Sequence, residues 1–410
     1  MRNVAYICSL FPTRTETFVL REVEQLTRMG WPVTCFSLRR NAEVPPDEEL
    51  QAWRQKTVYP PFLFSIGLLK ANFYFLCTRP LRYIQCFLAL WRNTTHPHAL
   101  VRSLAIFPIA VWFAGLVQKE KISRIHAHFA NVPATSAWII GRLAGVLFSF
   151  TAHAFDIFSN DYRDSLLPRK VRDADFVVCI SEYNRQHLES TLASAGAPAG
   201  RLVVIHCGVD VKTTRGPAAR PSVNKVPTIL SIGRLTEKKG HTYLIKALSL
   251  LRTKGERFRC LIVGEGPLNS TLRAQIADLK LQECISLLGE LPHQDVEALL
   301  EEADIFCLAC VVAKDGDRDG IPVSLMEAMA RGIPVVSTSV SGIPELVCDE
   351  TGILVPERDP AALAAAIETL LGQPEYRRTL GNRARERILD GFSAEANAKK
   401  LASLFSFDVT

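Results

Sequence analysis

The sequence lacks acidic residues over one long stretch, since no Asp or Glu occurs between Leu50 and Lys119. It also lacks the run of about 20 apolar residues that a membrane-spanning helix needs. The longest uncharged run in this stretch, Ser103 to Gln118, has 16 residues and contains Pro108. No fixed-period repeat and no low-complexity segment is visible. We therefore expect a globular protein without a spanning helix.

Neither a cysteine framework nor a signal-peptide pattern is recognisable in the sequence. The 11 cysteines are odd in number and have no regular spacing, which favours free thiols in a reducing cytoplasm over disulfides. Residues 1–3 run directly into Val4–Cys8, a short apolar stretch typical of a strand and too short for the apolar region of a signal peptide. These absences predict a cytoplasmic location.

The length and the apolar content predict two domains. The chain has 410 residues, 48% of them hydrophobic, which is more than one ordinary core accommodates. Short apolar runs alternate with helix-period segments, as in parallel sheets with crossover helices. The predicted strands are Val4–Cys8, Val33–Ser37, Arg124–His128, Leu147–Thr151, Phe176–Ile180, Leu202–His206, Thr228–Ile232, Cys260–Val263, Ser286–Leu288, Asp304–Leu308 and Pro334–Ser337.

A stretch rich in glycine, proline and small residues separates the two halves and predicts a linker. The expected parts are an N-terminal domain (1–208), a linker (209–226), a C-terminal domain (227–385) and a helical tail (386–410) that packs back on the first domain. The fold class is α/β, with two Rossmann-like doubly wound domains facing across a cleft. Ligands in such folds bind beyond the carboxyl ends of the strands, so the loops after the strands are the candidate sites.

The stretch without acidic residues belongs to a basic apolar segment, residues 50–119, which contains more positive charge than the net +6 of the whole chain. Apolar residues interleaved with cations are typical of a helix lying among the headgroups of an anionic membrane. The alternative is a helical face packed on the core with solvated arginines. Nucleic acid is not an expected partner, because the segment has no recognisable motif and too much apolar surface for a phosphate groove.

The most informative motif lies between Asp315 and Thr338. A helix is predicted to begin near Pro322–Val323 and to end at Gly332. Its first backbone N–H groups would then be free to bind phosphate oxygens. The three residues that carry these groups are Val323, Ser324 and Leu325.

Two acids accompany this helix. Asp319 lies in the loop before it and Glu327 lies within it, so both carboxylates can accept hydrogen bonds from the hydroxyl groups of one elongated ligand. Two alternatives remain. Asp315, Asp317 and Asp319, followed by Gly320, resemble part of a calcium loop, although the twelfth position of that loop falls on Met326. Glu327 could also be a helical charge favoured only by the helix dipole.

A second motif follows the first predicted strand of the second half. Arg234 and Lys239 lie in the loop between that strand and the next helix, where two cations can bind a diphosphate and stabilise it as a leaving group. After the next strand, Gly264 and Gly266 allow a close backbone approach. Gly-x-Gly alone is a weak signal and is not a full dinucleotide-binding fingerprint.

Together these blocks resemble the retaining glycosyltransferases of family 4, which have two Rossmann-like domains in the GT-B architecture. The blocks are Gly233-Arg234…Lys239-Gly240, Gly264-Glu-Gly-Pro267, and Asp319…Glu327 followed by Gly332-x-Pro-Val. In the first half, Ile125-His-Ala-His-Phe129, Phe150-Thr-Ala-His-Ala-Phe-Asp156 and Ile205-His-Cys-Gly-Val-Asp210 are similar to members of bacterial exopolysaccharide and colanic-acid-type assembly.

The resemblance implies a role for each site residue. Arg234 and Lys239 would bind the donor diphosphate, Glu327 the ribose, and Asp319 the transferred sugar, at a position where the family more often has Glu. His153 would lie beside the reacting sugar. The donor-site candidates are Arg234, Lys239, Gly264, Gly266, Gly320, Val323, Ser324, Leu325 and Glu327, and the catalytic candidates are His153 and Asp319.

Other residues with functional chemistry have simpler interpretations. Cys307 and Cys310 are expected to be buried thiols, because no second pair of ligands accompanies them. His126 and His128 could bind a metal, but no third ligand is evident, and His128 is kept as an acceptor-side candidate. Thr15 and Thr17, in the loop after the first strand, are the remaining acceptor-side candidates, or simply cap the following helix.

The resemblance implies a retaining, metal-independent hexosyltransferase. Its donor would be a UDP- or GDP-sugar and its acceptor a lipid-linked or polysaccharide (oligosaccharide) precursor of a bacterial surface polysaccharide. No cofactor is expected. The protein would act as a peripheral protein on the inner face of the cell membrane, where it would bind the anionic membrane surface. Two alternatives remain: a catalytically weak scaffold that binds membrane or assembly partners, and an epimerase acting on the sugar nucleotide.

Overall fold

The structure, a computed structural model, describes residues 3–13, 16–40, 48–62, 65–93, 97–159, 166–211 and 226–406. The chain divides into two compact units. Unit 1 contains Met1–Ile205 and Ala398–Thr410, and unit 2 contains His206–Asn397. The first division therefore lies slightly before residue 208. Most of the predicted linker, residues 212–225, lies outside the described residues.

Unit 1 is built on a six-stranded parallel sheet with the order β2-β1-β3-β4-β5-β6. The chain order reverses between β1 and β3, so the loops after these two strands form the switch point where ligands bind in such sheets. The strands are β1 Val4–Leu10, β2 Val33–Arg39, β3 Arg124–His128, β4 Leu147–Ala152, β5 Val177–Cys179 and β6 Leu202–Val204. The helices are α1 Thr17–Arg28, α2 Glu48–Lys56, α3 Ile66–Thr78, α4 Pro80–Asn93, α5 Pro97–Lys119, α6 Val132–Ala144, α7 Phe155–Phe158, α8 Leu167–Asp173 and α9 Glu182–Ser194.

Unit 2 is built on a second six-stranded parallel sheet, with the order β12-β11-β10-β7-β8-β9. Its switch point lies between β7 and β10. The strands are β7 Thr228–Ile232, β8 Arg259–Val263, β9 Ile285–Gly289, β10 Ile305–Leu308, β11 Val335–Thr338 and β12 Gly352–Val355. The helices are α10 His241–Thr253, α11 Asn269–Asp278, α12 His293–Glu302, α13 Val323–Ala330, α14 Ile343–Leu346, α15 Pro360–Gly372, α16 Pro374–Gly391 and α17 Ala394–Ser406, which passes from unit 2 into unit 1.

The predicted fold class is confirmed, because both units are parallel α/β sheets with crossover helices. All the predicted strands form, with ends that differ by up to two residues. They form because Val, Ile, Leu and Phe runs are buried on both faces of a parallel sheet. One strand, β12, has no predicted counterpart. It has four residues and begins at a glycine, so it gives almost no periodic signal.

The helices of the basic apolar segment differ in burial. Helix α5 is largely core: Val111, Phe113, Ala114 and Val117 are fully buried in unit 1. Helices α3 and α4 instead leave large apolar side chains exposed. Within the described part of the chain, no helix combines the length and the apolar character needed to cross a membrane.

The end of the chain belongs to unit 1. The Phe405 ring on α17 is buried and lies 5.9 Å from the Trp31 ring, 5.5 Å from the His126 ring and 5.9 Å from the Phe176 ring, measured between centroids. This aromatic cluster fixes the last helix against the sheet of unit 1.

Candidate active site

Two loops meet at the switch point of unit 2. The loop after β7 contains Gly240, whose φ of +66° lies in the left-handed region, and a Cβ at this position would lie 1.6 Å from the Ala309 carbonyl oxygen. The Val311 N–H, in the loop after β10, donates to the Lys238 carbonyl at 2.9 Å. Only glycine fits this close approach, so the β7 and β10 loops form one interlocked structure.

This interlocking brings two predicted residues together. The Lys239 ammonium lies 2.8 Å from the Asp319 carboxylate, and each side chain is 14% exposed. Lys238, which the sequence did not single out, lies 3.0 Å from Asp317 and 3.8 Å from Asp319. The Cys310 thiol also donates to Asp319, at 3.5 Å. The two carboxylates, Asp317 and Asp319, are therefore paired with two ammonium groups.

Burial and pairing act in opposite directions on the Lys239–Asp319 pair. Burial alone would raise the pKa of the Asp319 carboxyl, but Lys239 and then Lys238 outweigh it and hold that pKa below its usual value. Burial alone would lower the pKa of Lys239, and Asp319 reverses this, so that pKa is raised. Both groups are charged at neutral pH, and an anionic ligand would compete with Asp319 for Lys239.

The same geometry bears on the calcium alternative. Asp317 and Asp319 are already ion-paired with lysines, and the Asp315 carboxylate accepts a hydrogen bond from the Asp317 N–H at 2.9 Å. Ammonium groups occupy the positions that a cation would need. A calcium site does not fit these contacts.

The glycines after β7 and β8 bring backbone segments close together. A Cβ on Gly264 would lie 2.2 Å from the Gly233 carbonyl oxygen, and one on Gly266 would lie 2.5 Å from the Leu235 carbonyl oxygen. The aliphatic part of Lys239 lies over Gly233, 3.2 Å from the position of a Cβ there. The predicted close approach is therefore present, and its partner is the β7 loop itself.

Helix α13 begins where the sequence predicted, with Pro322 as its N-cap residue. Among the residues that the structure describes, the N–H groups of Val323 and Ser324 have no acceptor. Leu325 differs from the prediction, because its N–H already donates to the Pro322 carbonyl at 3.1 Å. The helix therefore offers two N–H groups to an anion instead of three.

The other predicted donor-site residues lie on the same two loops and on α13. Arg234 is exposed in the β7 loop, Gly320 is buried in the β10 loop and Glu327 is half-buried on α13. His241, which the sequence did not single out, follows the β7 loop. It is buried, no described residue hydrogen-bonds to its ring nitrogens, and burial, followed by Lys239, lowers its pKa to about 4.

A chain of hydrogen bonds lies at the switch point of unit 1. The Tyr6 hydroxyl donates to Glu22 Oε1 at 2.6 Å, and the same oxygen lies 3.1 Å from His128 Nε2. The other ring nitrogen of His128, Nδ1, lies 3.1 Å from His153 Nε2. Two predicted residues, His128 and His153, are thus hydrogen-bonded to each other. Tyr6 and Glu22 are hydrogen-bond partners that the sequence did not reveal.

This chain couples the ionisation of Glu22 to the tautomers of the two histidines. Burial would raise the pKa of Glu22, but His128 outweighs burial and lowers it, so the carboxylate is ionised and accepts from His128 Nε2. The hydrogen bond between His128 Nδ1 and His153 Nε2 couples the two rings: when Nδ1 accepts, His153 Nε2 is the donor and His153 Nδ1 is left as an acceptor. Burial, followed by the nearby histidines, holds the pKa of His153 well below its usual value, so its ring is neutral.

Packing and a buried acid fix the His153 ring. Its centroid lies 4.8 Å from that of Phe18 and 4.4 Å from that of Phe129. The Asp156 carboxylate accepts hydrogen bonds from the backbone N–H groups of His153, at 3.2 Å, and of Ala130. Burial raises the pKa of Asp156 to about 6, although these hydrogen bonds oppose the shift.

The structure supplies the third residue for a metal at the two histidines. Glu22, His126 and His128 each offer a ligand atom within 4.8 Å of the others. However, both ring nitrogens of His126 are hydrogen-bonded at 2.9 Å, to the Ser149 and Thr151 hydroxyls, and those of His128 bond to Glu22 and His153. These contacts fit a hydrogen-bonded network better than a metal site.

The structure describes three of the four remaining candidates. Thr15 lies outside the described residues. Thr17 is the first residue of α1 and does not cap it, because Glu16 is the N-cap residue. Cys307 and Cys310 are buried thiols, as expected, but Cys310 is also a direct neighbour of Asp319.

Comparison with known sequences matches both halves of the chain to glycosyltransferases. The model for Glycosyltransferase Family 4 matches residues 15–213, and the model for Glycosyl transferases group 1 matches residues 215–387. A Salmonella typhimurium protein assigned to colanic acid biosynthesis as a glycosyltransferase is 33% identical, over 98% of this chain and 99% of its own. An amylovoran biosynthesis glycosyltransferase of Erwinia amylovora is 43% identical over 43% of each chain.

Solved structures match along the whole length. Anabaena HepE, crystallised with UDP and glucose, has a TM-score of 0.73 at 18% identity and covers 99% of this chain and 100% of its own. Sucrose-phosphate synthase from Thermosynechococcus elongatus has a TM-score of 0.72 at 20% identity, over 99% and 98% of the two chains. At these identities the likeness establishes the fold alone. The full-length sequence relatives establish more: the chain belongs to the family 4 glycosyltransferases.

Proposed function

We propose that this glycosyltransferase takes its sugar from a UDP- or GDP-sugar and that the β7 and β10 loops of unit 2 bind the diphosphate. The observation that carries the proposal is the Lys239–Asp319 pair, in which Asp319 lies four residues before the first of the two N–H groups for which no described residue is an acceptor. A diphosphate can replace Asp319 on Lys239 and leave that carboxylate for the sugar hydroxyls. Arg234 adds a second cation, and Glu327 binds the ribose.

The chemistry that follows is retaining hexosyl transfer without a metal or a cofactor. Lys239 and Arg234 neutralise the charge that develops on the leaving diphosphate, a role that a divalent cation performs in other enzymes. The departing phosphate takes the proton of the acceptor hydroxyl on the face where the new bond forms. Asp319 orients the transferred sugar, and His153 is the catalytic candidate of unit 1.

The acceptor is a lipid-linked or oligosaccharide precursor of a bacterial exopolysaccharide. Relatives named for colanic acid and amylovoran biosynthesis support this assignment. A further relative, from Mycolicibacterium smegmatis, is named as a GDP-mannose-dependent phosphatidylinositol monomannoside mannosyltransferase. Its name pairs a nucleotide sugar with a lipid acceptor.

The protein works on the inner face of the cell membrane through an outer surface that we call the α3–α4 face. Its exposed apolar residues recur at helical spacing, three and four residues apart, which places them along one side of each helix. Phe73 is 69% exposed, Leu81 75% and Trp91 57%. The α3–α4 face consists of Ile66, Leu69, Phe73 and Leu76 on α3 and Leu81, Ile84, Leu88 and Trp91 on α4.

Only some of the cations near this face are available to lipid headgroups. Arg79 and Arg82 donate to the carbonyls of Leu143 and Arg142 at the end of α6, so they hold α3 and α4 to the rest of unit 1. Lys70 and Arg92 are exposed. A helix layer with an apolar outer face and such flanking cations suits the headgroup region of an anionic leaflet.

The donor site is tested by calorimetry with UDP and GDP and by assaying transfer from a panel of nucleotide sugars. Lys239→Ala should weaken binding of the preferred nucleotide at least tenfold and abolish transfer, and Glu327→Ala should do the same. Lys254→Ala, at an exposed cation paired with Glu368, is the matched control. If both site variants keep wild-type binding and transfer, the site assignment is wrong.

The same measurements separate the alternatives. A scaffold would not bind either nucleotide, and an epimerase would turn over a sugar nucleotide without an acceptor. The membrane role is tested by sedimentation with phosphatidylglycerol vesicles. Leu69→Ser with Phe73→Ser should lose binding, whereas the control Leu250→Ser, at an exposed leucine of unit 2, should not. Equal binding of both variants would exclude the α3–α4 face.

A further inference from the structure

A second concentration of positive charge lies in unit 1, away from the residues assigned above. A pocket of about 390 Å³ is lined by Arg40, Gln51, Arg54, Gln55, Thr57 and Tyr59. Its polar side chains are two guanidinium groups, two amides and two hydroxyls. We call it the Arg40–Arg54 pocket.

The two arginines are placed to bind an anion. The Arg40 guanidinium lies 5.2 Å from the centroid of the Tyr59 ring, a stacking arrangement that orients its planar donors. In the part of the chain that the structure describes, neither Arg40 nor Arg54 has a carboxylate within ion-pair distance. Both charges are therefore available to a ligand.

The pocket lies at the ligand-binding edge of the sheet. Arg40 follows the carboxyl end of β2, and Val58 pairs with Phe36 along the outer side of that strand. The Tyr59 hydroxyl donates to the Phe11 carbonyl at 3.0 Å, and Phe11 follows β1 at the switch point. The hydroxyl of Tyr59 thus ties the pocket to the loop where ligands of such sheets bind.

In the chain, the pocket is followed directly by the segment that leads to the α3–α4 face. Phe62, three residues after Tyr59, is 79% exposed, and α3 begins soon afterwards at Ile66. The pocket is therefore tied to the switch point by the Tyr59 hydroxyl and is followed in the chain by the apolar face. A lipid-linked sugar has the same order of parts: a sugar, a diphosphate and a hydrocarbon chain.

We propose that the Arg40–Arg54 pocket binds the diphosphate of a lipid-linked acceptor, with its hydrocarbon chain on the α3–α4 face and its sugar at the switch point of unit 1. This proposal rests on the lipid-linked acceptor of the proposed function. Guanidinium groups bind phosphate oxygens in pairs of parallel hydrogen bonds. The amide of Gln55 supplies a further donor, and the pocket volume is within the range of small-ligand sites.

The test uses the full chain with UDP at saturation, so that the donor site is filled, and farnesyl diphosphate as the probe. Calorimetry should show binding of farnesyl diphosphate, competition by inorganic pyrophosphate, and at least tenfold weaker binding of farnesol. The double variant Arg40→Gln with Arg54→Gln should lose roughly a hundredfold in affinity for farnesyl diphosphate, about tenfold for each charge-assisted contact. Its circular dichroism and its UDP affinity should match the wild type.

A charge-matched control separates a diphosphate pocket from a general headgroup surface. Lys70→Gln with Arg92→Gln removes the same charge from the α3–α4 face. It should keep the affinity for farnesyl diphosphate within about threefold and lose binding to phosphatidylglycerol vesicles, whereas the pocket variant should keep vesicle binding.

Two results would overturn the proposal: equal affinity for farnesyl diphosphate in wild type and pocket variant, or loss of vesicle binding in the pocket variant, which would identify a headgroup site. Failure of the proposed function is seen separately. In that case the wild type would not bind UDP or GDP, whatever the result with farnesyl diphosphate.

Discussion

Replacing Asp319 by asparagine should move nucleotide binding and sugar transfer in opposite directions. The substitution keeps the shape of the side chain and removes the charge that lies 2.8 Å from the Lys239 ammonium. Removing one member of a fully buried ion pair destabilises a protein by about 3–5 kcal/mol. Both side chains are partly exposed here, and Lys238 keeps its partner Asp317. We therefore expect the free energy of unfolding of the ligand-free protein to fall by about 2 kcal/mol.

The same change should strengthen binding of the nucleoside diphosphate. Two unit charges roughly 8 Å apart interact by about 2 kcal/mol at an effective dielectric constant of about 20. Removing the repulsion between Asp319 and a phosphate should therefore tighten UDP or GDP binding roughly tenfold to thirtyfold. Transfer should fall at least about a hundredfold, since the sugar loses its carboxylate partner.

Three measurements check this prediction: calorimetry with the preferred nucleotide, thermal unfolding with and without it, and steady-state transfer. The ligand-free variant should unfold about 4–8 °C lower, and the nucleotide should stabilise it more than it stabilises the wild type. Asp315→Asn, an exposed acid of the same loop, is the charge-matched control and should change nucleotide affinity less than threefold. Weaker nucleotide binding by Asp319→Asn, or equal tightening by Asp315→Asn, would refute the reasoning.

Three further predictions follow from the fold and from the unit 1 network. Glu22→Gln should weaken the preference for one tautomer of His153, seen as a changed pair of ring ¹⁵N shifts in selectively labelled protein; unchanged shifts would contradict the proton chain. Asp156, with its pKa raised to about 6, binds a proton more tightly when folded, so the stability this confers is present below about pH 4 and lost as the pH rises through 6. Urea unfolding should show the wild type losing up to about 3 kcal/mol relative to Asp156→Asn between pH 4 and 7, and a flat difference would rule the shift out. Gly240→Ala should lower the melting temperature far more than Gly255→Ala, because both glycines have positive φ but only Gly240 has an atom in the way; equal losses would mean that the β7 and β10 loops are not interlocked.

The sequence predicted the features that depend on local signals. Parallel strands are buried on both faces and give continuous apolar runs, so eleven of the twelve strands could be identified. The start of α13 was equally clear, because Pro322 and the apolar residues after it give a helix-start signal. Strand β12 was missed because its four residues are too few to show a period.

Contacts between distant residues could not be predicted in this way. Glu22 and His128 are separated by 106 positions, and nothing in the spacing of either residue indicates the other. Arg79 and Arg82 look like solvated or lipid-facing cations in the sequence. In the structure they donate to carbonyls of α6 about sixty residues away, and this acceptor is backbone, which any sequence provides.

The interlocking of the β7 and β10 loops has a consequence for protein engineering. Since a Cβ on Gly240 would collide with the Ala309 carbonyl, and Val311 donates to the carbonyl of Lys238, neither loop keeps its shape if its neighbour is exchanged alone. A chimera intended to change the donor sugar should graft residues 233–240 and 309–322 from a relative as one block. Chimeras that receive a single loop should fold poorly in unit 2 before any change of specificity can be observed.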